Sequence, residues 1–177
     1  LLNSVHSQSI SSHQYAVLKH ACVFQLCGAL HCENAQSLSL SQLLHYGAYL
    51  YDRDATKARQ MAISKDGGTT WINQEFDTEL PEPRCQGALL SIRDNNKNIL
   101  LFTNPADSLA RVNMTLSVSY DDSLNWSKKI PIYKSHSAYS DLTELKDGSI
   151  LVLYEAGING AYEGIHYKVI DKKLIIN

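Results

Sequence analysis

Charge is almost missing from the first fifty residues: before Tyr51 the only charged side chains are Lys19 and Glu33, although five of the seven histidines lie there. Proline is scarce, with four in 177 residues. No uninterrupted apolar run approaches the roughly 20 residues that a membrane span requires. The N-terminus has no basic stretch followed by an apolar core, so an export signal is not expected in the chain as it stands. The net charge is −2, and no lysine- or arginine-rich stretch supplies a basic field for nucleic acid or an anionic membrane surface. Four cysteines are present, Cys22, Cys27, Cys32 and Cys85, and the first three are spaced unlike the usual zinc-binding knuckles. They read as ordinary thiols, with no metal and no cofactor expected.

With 44% hydrophobic and 19% charged residues, the chain suits one domain or a piece of a larger one. Residues 1–50 are rich in Ser, His, Leu and Gln, and their only glycines are Gly28 and Gly47. They form an atypical segment: either a divergent strand-rich unit or the product of a shifted reading frame. Residues 51–177 read as all-β. Ala88 to Ile92 and Ile99 to Phe102 flank the polar run Asp94-Asn95-Asn96-Lys97-Asn98, which predicts a hairpin. Leu142 to Leu145 and Ile150 to Tyr154 flank Lys146-Asp147-Gly148-Ser149, which predicts a second. Val112 to Ser119 and Gly164 to Ile170 supply further strands, and no helix is expected after residue 60.

One octapeptide repeats. Ser64-Lys65-Asp66-Gly67-Gly68-Thr69-Thr70-Trp71 returns as Ser119-Tyr120-Asp121-Asp122-Ser123-Leu124-Asn125-Trp126, 55 residues later (121 − 66). The first copy is a full Asp-box, S/T-x-D-x-G-x-T-W; the second has Ser123 in place of glycine. The carboxylate accepts backbone N–H groups in a tight turn, glycine permits the left-handed conformation, and Trp covers a sheet. The device is structural, and its spacing is close to that of four-stranded propeller blades.

Residues 51 to 168 resemble the later blades of bacterial-type and animal sialidases (neuraminidases) with Asp-box, or BNR, repeats. The resemblance rests on Leu80-Pro81-Glu82-Pro83-Arg84-Cys85-Gln86-Gly87, Leu100-Leu101-Phe102-Thr103-Asn104-Pro105, Arg111-Val112-Asn113, Ala138-Tyr139-Ser140-Asp141-Leu142 and Leu151-Val152-Leu153-Tyr154-Glu155, in family order. It implies about three blades of a six-bladed β-propeller, the C-terminal part of an exo-α-sialidase that would act with the missing blades on sialylated glycoconjugates. An inactive sialidase-like carbohydrate-binding module, or an Asp-box interaction propeller, is the alternative. A secreted or cell-surface parent fits such a role.

The resemblance also implies site residues. Tyr139 matches the nucleophile, and the chemistry favours a phenol. Sialic acid carries a carboxylate on its anomeric carbon, which repels an Asp or Glu nucleophile but not a phenol that is neutral until a base takes its proton. Arg111 matches one of three arginines that grip that carboxylate; its planar fork can meet both oxygens. Glu155 matches a supporting glutamate that orients another arginine, one whose Arg-Ile-Pro motif is absent here. Glu33 lies 16 residues before Tyr49 (49 − 33), near the spacing of the general base, although Tyr49 stands where an arginine belongs. An incidental surface carboxylate is the alternative for Glu33. The acid/base aspartate has no counterpart. Asn113-Met114-Thr115 and Asn125-Trp126-Ser127 are glycosylation sequons only in a secreted eukaryotic protein.

Overall fold

A computed structural model describes residues 42–46, 57–64 and 72–176. Among the described residues nine strands form two antiparallel sheets. The first contains β1 (Gln42–Tyr46), β2 (Ala58–Ser64) and β3 (Ile72–Pro81) in chain order. The second contains β4 (Ala88–Asp94), β5 (Lys97–Pro105), β6 (Val112–Ser119), β7 (Lys128–Glu144), β8 (Ile150–Gly157) and β9 (Gly164–Ile170), again in chain order. A 3-10 turn at Lys172–Leu174 follows. Among the described residues no helix is long and apolar enough to cross a membrane. The described residues are all-β, a run of propeller blades.

Both expected hairpins form. Asn95 and Asn96 take φ of 45° and 64°, the left-handed pair required by a two-residue turn, and Gly148 at φ 81° closes the β7–β8 turn. Inward residues alternate with outward ones, as on β4 and β8, and bury a core that includes Leu90, Leu101, Leu116, Ile132, Val152 and Ile170.

Strand β7 is longer than the sequence suggests, and it serves two neighbours. Its first part, Lys128 to His136, pairs with β6; its second, His136 to Glu144, pairs with β8. The ladder with β8 skips between Ser137 and Ser140, leaving Ala138 and Tyr139 in a bulge. Strands β4 to β6 with the first half of β7 make one four-stranded blade, and the second half of β7 with β8 and β9 begins the next.

The second Asp-box forms the β6–β7 connection. Asp121 Oδ1 accepts from Ser119 Oγ at 2.8 Å and Asn125 N at 2.9 Å. Trp126 is buried, stacks obliquely on Phe102 with centroids 6.0 Å apart, and joins Met61 and Leu80 in a second core between the two sheets. Its indole N–H donates to Asp77 Oδ2 at 2.8 Å and its backbone N–H to Glu79 Oε2 at 2.6 Å. Burying two large rings here contributes roughly 2–3 kcal/mol each. Of the first box, Ser64 to Trp71, residues 65–71 lie outside the described residues.

Candidate functional site

Three connections converge beside the β7 bulge: residues 82–87 before β4, residues 106–111 before β6, and residues 158–163 between β8 and β9. Small buried side chains let them approach, since Cys85, Ala138 and Ala161 pack together. Gly87 serves the same end, because a Cβ there would lie 2.4 Å from Phe102 Cζ. Burial pushes the Cys85 thiol up to about 11, so it is neutral near pH 7.

The 82–87 segment is fixed from both sides. Arg59 and Glu82 form a buried ion pair at 3.0 Å. Arg59 Nη2 also donates to Cys85 O at 2.7 Å, Cys85 N donates to Glu82 Oε2 at 3.2 Å, and the guanidinium lies 5.3 Å from the Phe102 ring. Removing either charge would strand the other in the interior. On the far side, the Gln86 side chain imitates a strand: Oε1 accepts from Ser140 N and Nε2 donates to Ser140 O, both at 3.0 Å. Ser140 Oγ lies 3.0 Å from Thr103 Oγ1. Thus β4, β5 and the second half of β7 are tied where the β7–β8 ladder is interrupted.

The bulge turns Tyr139 outward, and it is 47% exposed. Its backbone N–H donates to Glu155 Oε2 at 3.2 Å. Glu155, which would be costly to leave unanswered at the end of an apolar strand, is therefore anchored on the backbone beside Tyr139. Arg111 reaches the same place. Its guanidinium carbon lies 5.5 Å from the Tyr139 ring centroid and 5.9 Å from that of Tyr162. Nη1 donates to Tyr162 Oη and Nη2 to Arg84 O at 2.9 Å. The Arg111 carbonyl accepts from Ser137 N at 2.8 Å, tying the arginine's backbone to the bulge.

Among the described residues Arg111 forms no ion pair. Burial works against its charge, but the pull of Cys85, Tyr162 and Tyr139 outweighs it, and its pKa is raised above the ordinary value. The guanidinium is a positive charge held by a backbone carbonyl, a tyrosine hydroxyl and aromatic faces, beside the exposed ring of Tyr139. Such a site can receive a carboxylate and present a phenol oxygen to the atom bearing it.

Arg111, Tyr139 and Glu155, singled out in the sequence, meet here. Glu33 and Tyr49 lie outside the described residues, as do Cys22, Cys27 and Cys32. Sequence reasoning missed Arg59, Glu82, Gln86 and Tyr162 as parts of the site. Gln86 and Glu82 lie inside a recognised segment without an assigned role, and nothing local distinguishes Arg59 or Tyr162.

The family model described as "BNR repeat-like domain" matches residues 26–152. A sialidase of Bacteroides fragilis is 33% identical over 109 residues, covering 57% of this chain and 20% of its own length. A sialidase of Micromonospora viridifaciens is 30% identical over 121 residues, covering 64% and 19%. Among solved structures, the Hadza microbial sialidase Hz136 superposes with a TM-score of 0.59 at 28% identity, over 68% of this chain and 24% of that one. A leech intramolecular trans-sialidase gives a TM-score of 0.58 at 16% identity and shares the fold. The chain spans about a fifth of the length of the curated relatives named here.

Proposed function

Because the chain belongs to the sialidase family with BNR repeats, matched over residues 26–152, we propose that it is part of an exo-α-sialidase that releases terminal sialic acid from glycoconjugates. The observation that carries this reading is the charge of Arg111, without an ion pair among the described residues, set 5.5 Å from the exposed ring of Tyr139. Arg111 binds the sugar carboxylate, and Tyr139 attacks the anomeric carbon to which that carboxylate is attached. As the C–O bond to Tyr139 forms, the glycosidic C–O bond breaks. The phenol proton passes to a general base, for which Glu33 is the candidate in this chain, and the departing oxygen takes a proton from a general acid, the acid/base group without a counterpart in this chain, to leave as an alcohol. Water then replaces tyrosine at the same carbon, and the phenol regains its proton. Glu155 supports the bulge through the Tyr139 backbone rather than reacting.

The test uses the intact protein that carries this chain and a fluorogenic aryl sialoside. Tyr139→Phe should lower kcat by roughly 10³-fold or more with little change in Tm, since ring and fold remain. Arg111→Lys should act mainly on KM, raising it about tenfold, because one ammonium replaces a two-pronged fork. Near-normal turnover by Tyr139→Phe would overturn the assignment.

A further inference from the structure

Tyr162 is 63% exposed, an unusual display for a tyrosine, yet the turn that carries it is tightly built. Glu163 accepts from Ile158 N and Asn159 N, both at 2.9 Å, closing the turn on itself. The turn folds back so closely that a Cβ on Gly157 would lie 2.3 Å from Gly160 O and 2.5 Å from Glu163 Oε2. Beneath it, Ala161 is anchored against Cys85 and Ala138. This arrangement sets the Tyr162 hydroxyl on Arg111 Nη1, while Arg84 O holds Nη2.

The chemistry of these contacts is selective. Tyr162 and the Arg84 carbonyl fix the direction of the fork with hydrogen bonds rather than with a carboxylate. The one carboxylate on this turn, Glu163, is directed to backbone N–H groups of its own loop instead of to Arg111. An acid in the place of Tyr162 would fill the site that a substrate carboxylate needs.

We propose that Tyr162 is a positioning residue for Arg111, held in place by the Glu163-closed turn, and that it sets the pitch at which the guanidinium meets the substrate carboxylate beside Tyr139. This rests on the sialidase reading above. It assigns the 158–163 turn to recognition of the acid group of the sugar.

The test again uses the intact protein, with the aryl sialoside for kcat and KM and with free N-acetylneuraminic acid and its methyl ester as competing inhibitors. Tyr162→Phe deletes only the hydroxyl. It should raise KM about tenfold, leave kcat within about threefold, hold Tm within a degree or two, and lower the preference for acid over ester about tenfold. Arg111→Ala is the control. If Arg111→Ala leaves the acid-over-ester preference intact, the sialidase reading itself fails. If Arg111→Ala abolishes the preference and Tyr162→Phe matches the unsubstituted protein, the role of Tyr162 fails alone. A Tyr162→Phe variant that loses Tm and activity while keeping the preference would show a merely structural tyrosine and also overturn the proposal.

Discussion

Ser123 occupies the position where the Asp-box consensus has glycine, and the backbone shows why glycine belongs there. Its φ is 70°, following Asp122 at 55°, so two consecutive L-residues sit in the left-handed region. The turn is held nonetheless by Asp121 and by Ser119 Oγ, which accepts from Ser123 N at 2.9 Å. Ser123→Gly keeps that backbone donor and relieves the crowding of Cβ. It should stabilise the protein by about 0.5–1 kcal/mol, a rise of roughly 3 °C in Tm measurable by calorimetry. This degree of detail was legible in the sequence because a box is local: Asp121, Ser123 and Trp126 act within one turn and its covering sheet. Tyr139 was legible only through its motif, because a tyrosine made accessible by a bulge has no signature of spacing.

Among the elements, the hairpins were readable from Asn95-Asn96 and Asp147-Gly148, whereas β7 was not. Pro131 and the serine-rich stretch at 135–140 look like breaks, yet Pro131 is accommodated opposite Thr115 beside a register shift, and the bulge absorbs the rest. Strand β7 also carries Asp141, which lies opposite Leu153 and whose carboxylate accepts from its neighbour's N–H, Leu142 N at 2.9 Å. Burial raises its pKa above the ordinary 3.8, with the Leu142 bond opposing the shift. A raised carboxyl binds its proton more tightly in the folded state, so stability is greatest where it is protonated and falls as pH rises through the folded value. Asp141→Asn should therefore raise Tm at neutral pH, with the gain fading as pH drops through that window and gone below about 3.8. Equal Tm values at pH 7 would contradict the account, and paired melting curves across pH decide it.

At the scale of the whole molecule, the site is drawn from residues that the chain keeps far apart. Arg111 meets Tyr162 across 51 positions, and Gln86 meets Ser140 across 54. Pairings of that range leave no periodicity in sequence, which is why the clamp of Arg59 and Glu82 went unseen while the strands did not. Among the described residues nothing covers the β8–β9 face, with Ile165 74%, Tyr167 71% and Leu153 45% exposed. A chain spanning about a fifth of the curated relatives named above, with Arg111 as the one arginine proposed here to bind a carboxylate, should show negligible turnover of an aryl sialoside when purified alone. Robust hydrolysis by the 177-residue chain would refute this. The dual pairing of β7 has a further consequence, for how such proteins can be rearranged as genes. Two blades that share one continuous strand have no linker between them, so a crossover at the apparent blade boundary cuts through paired backbone. Duplication, deletion or splicing that preserves folding must join the chain within a blade, at an exposed turn such as 95–96 or 146–147. The unit of exchange is therefore offset from the unit of architecture.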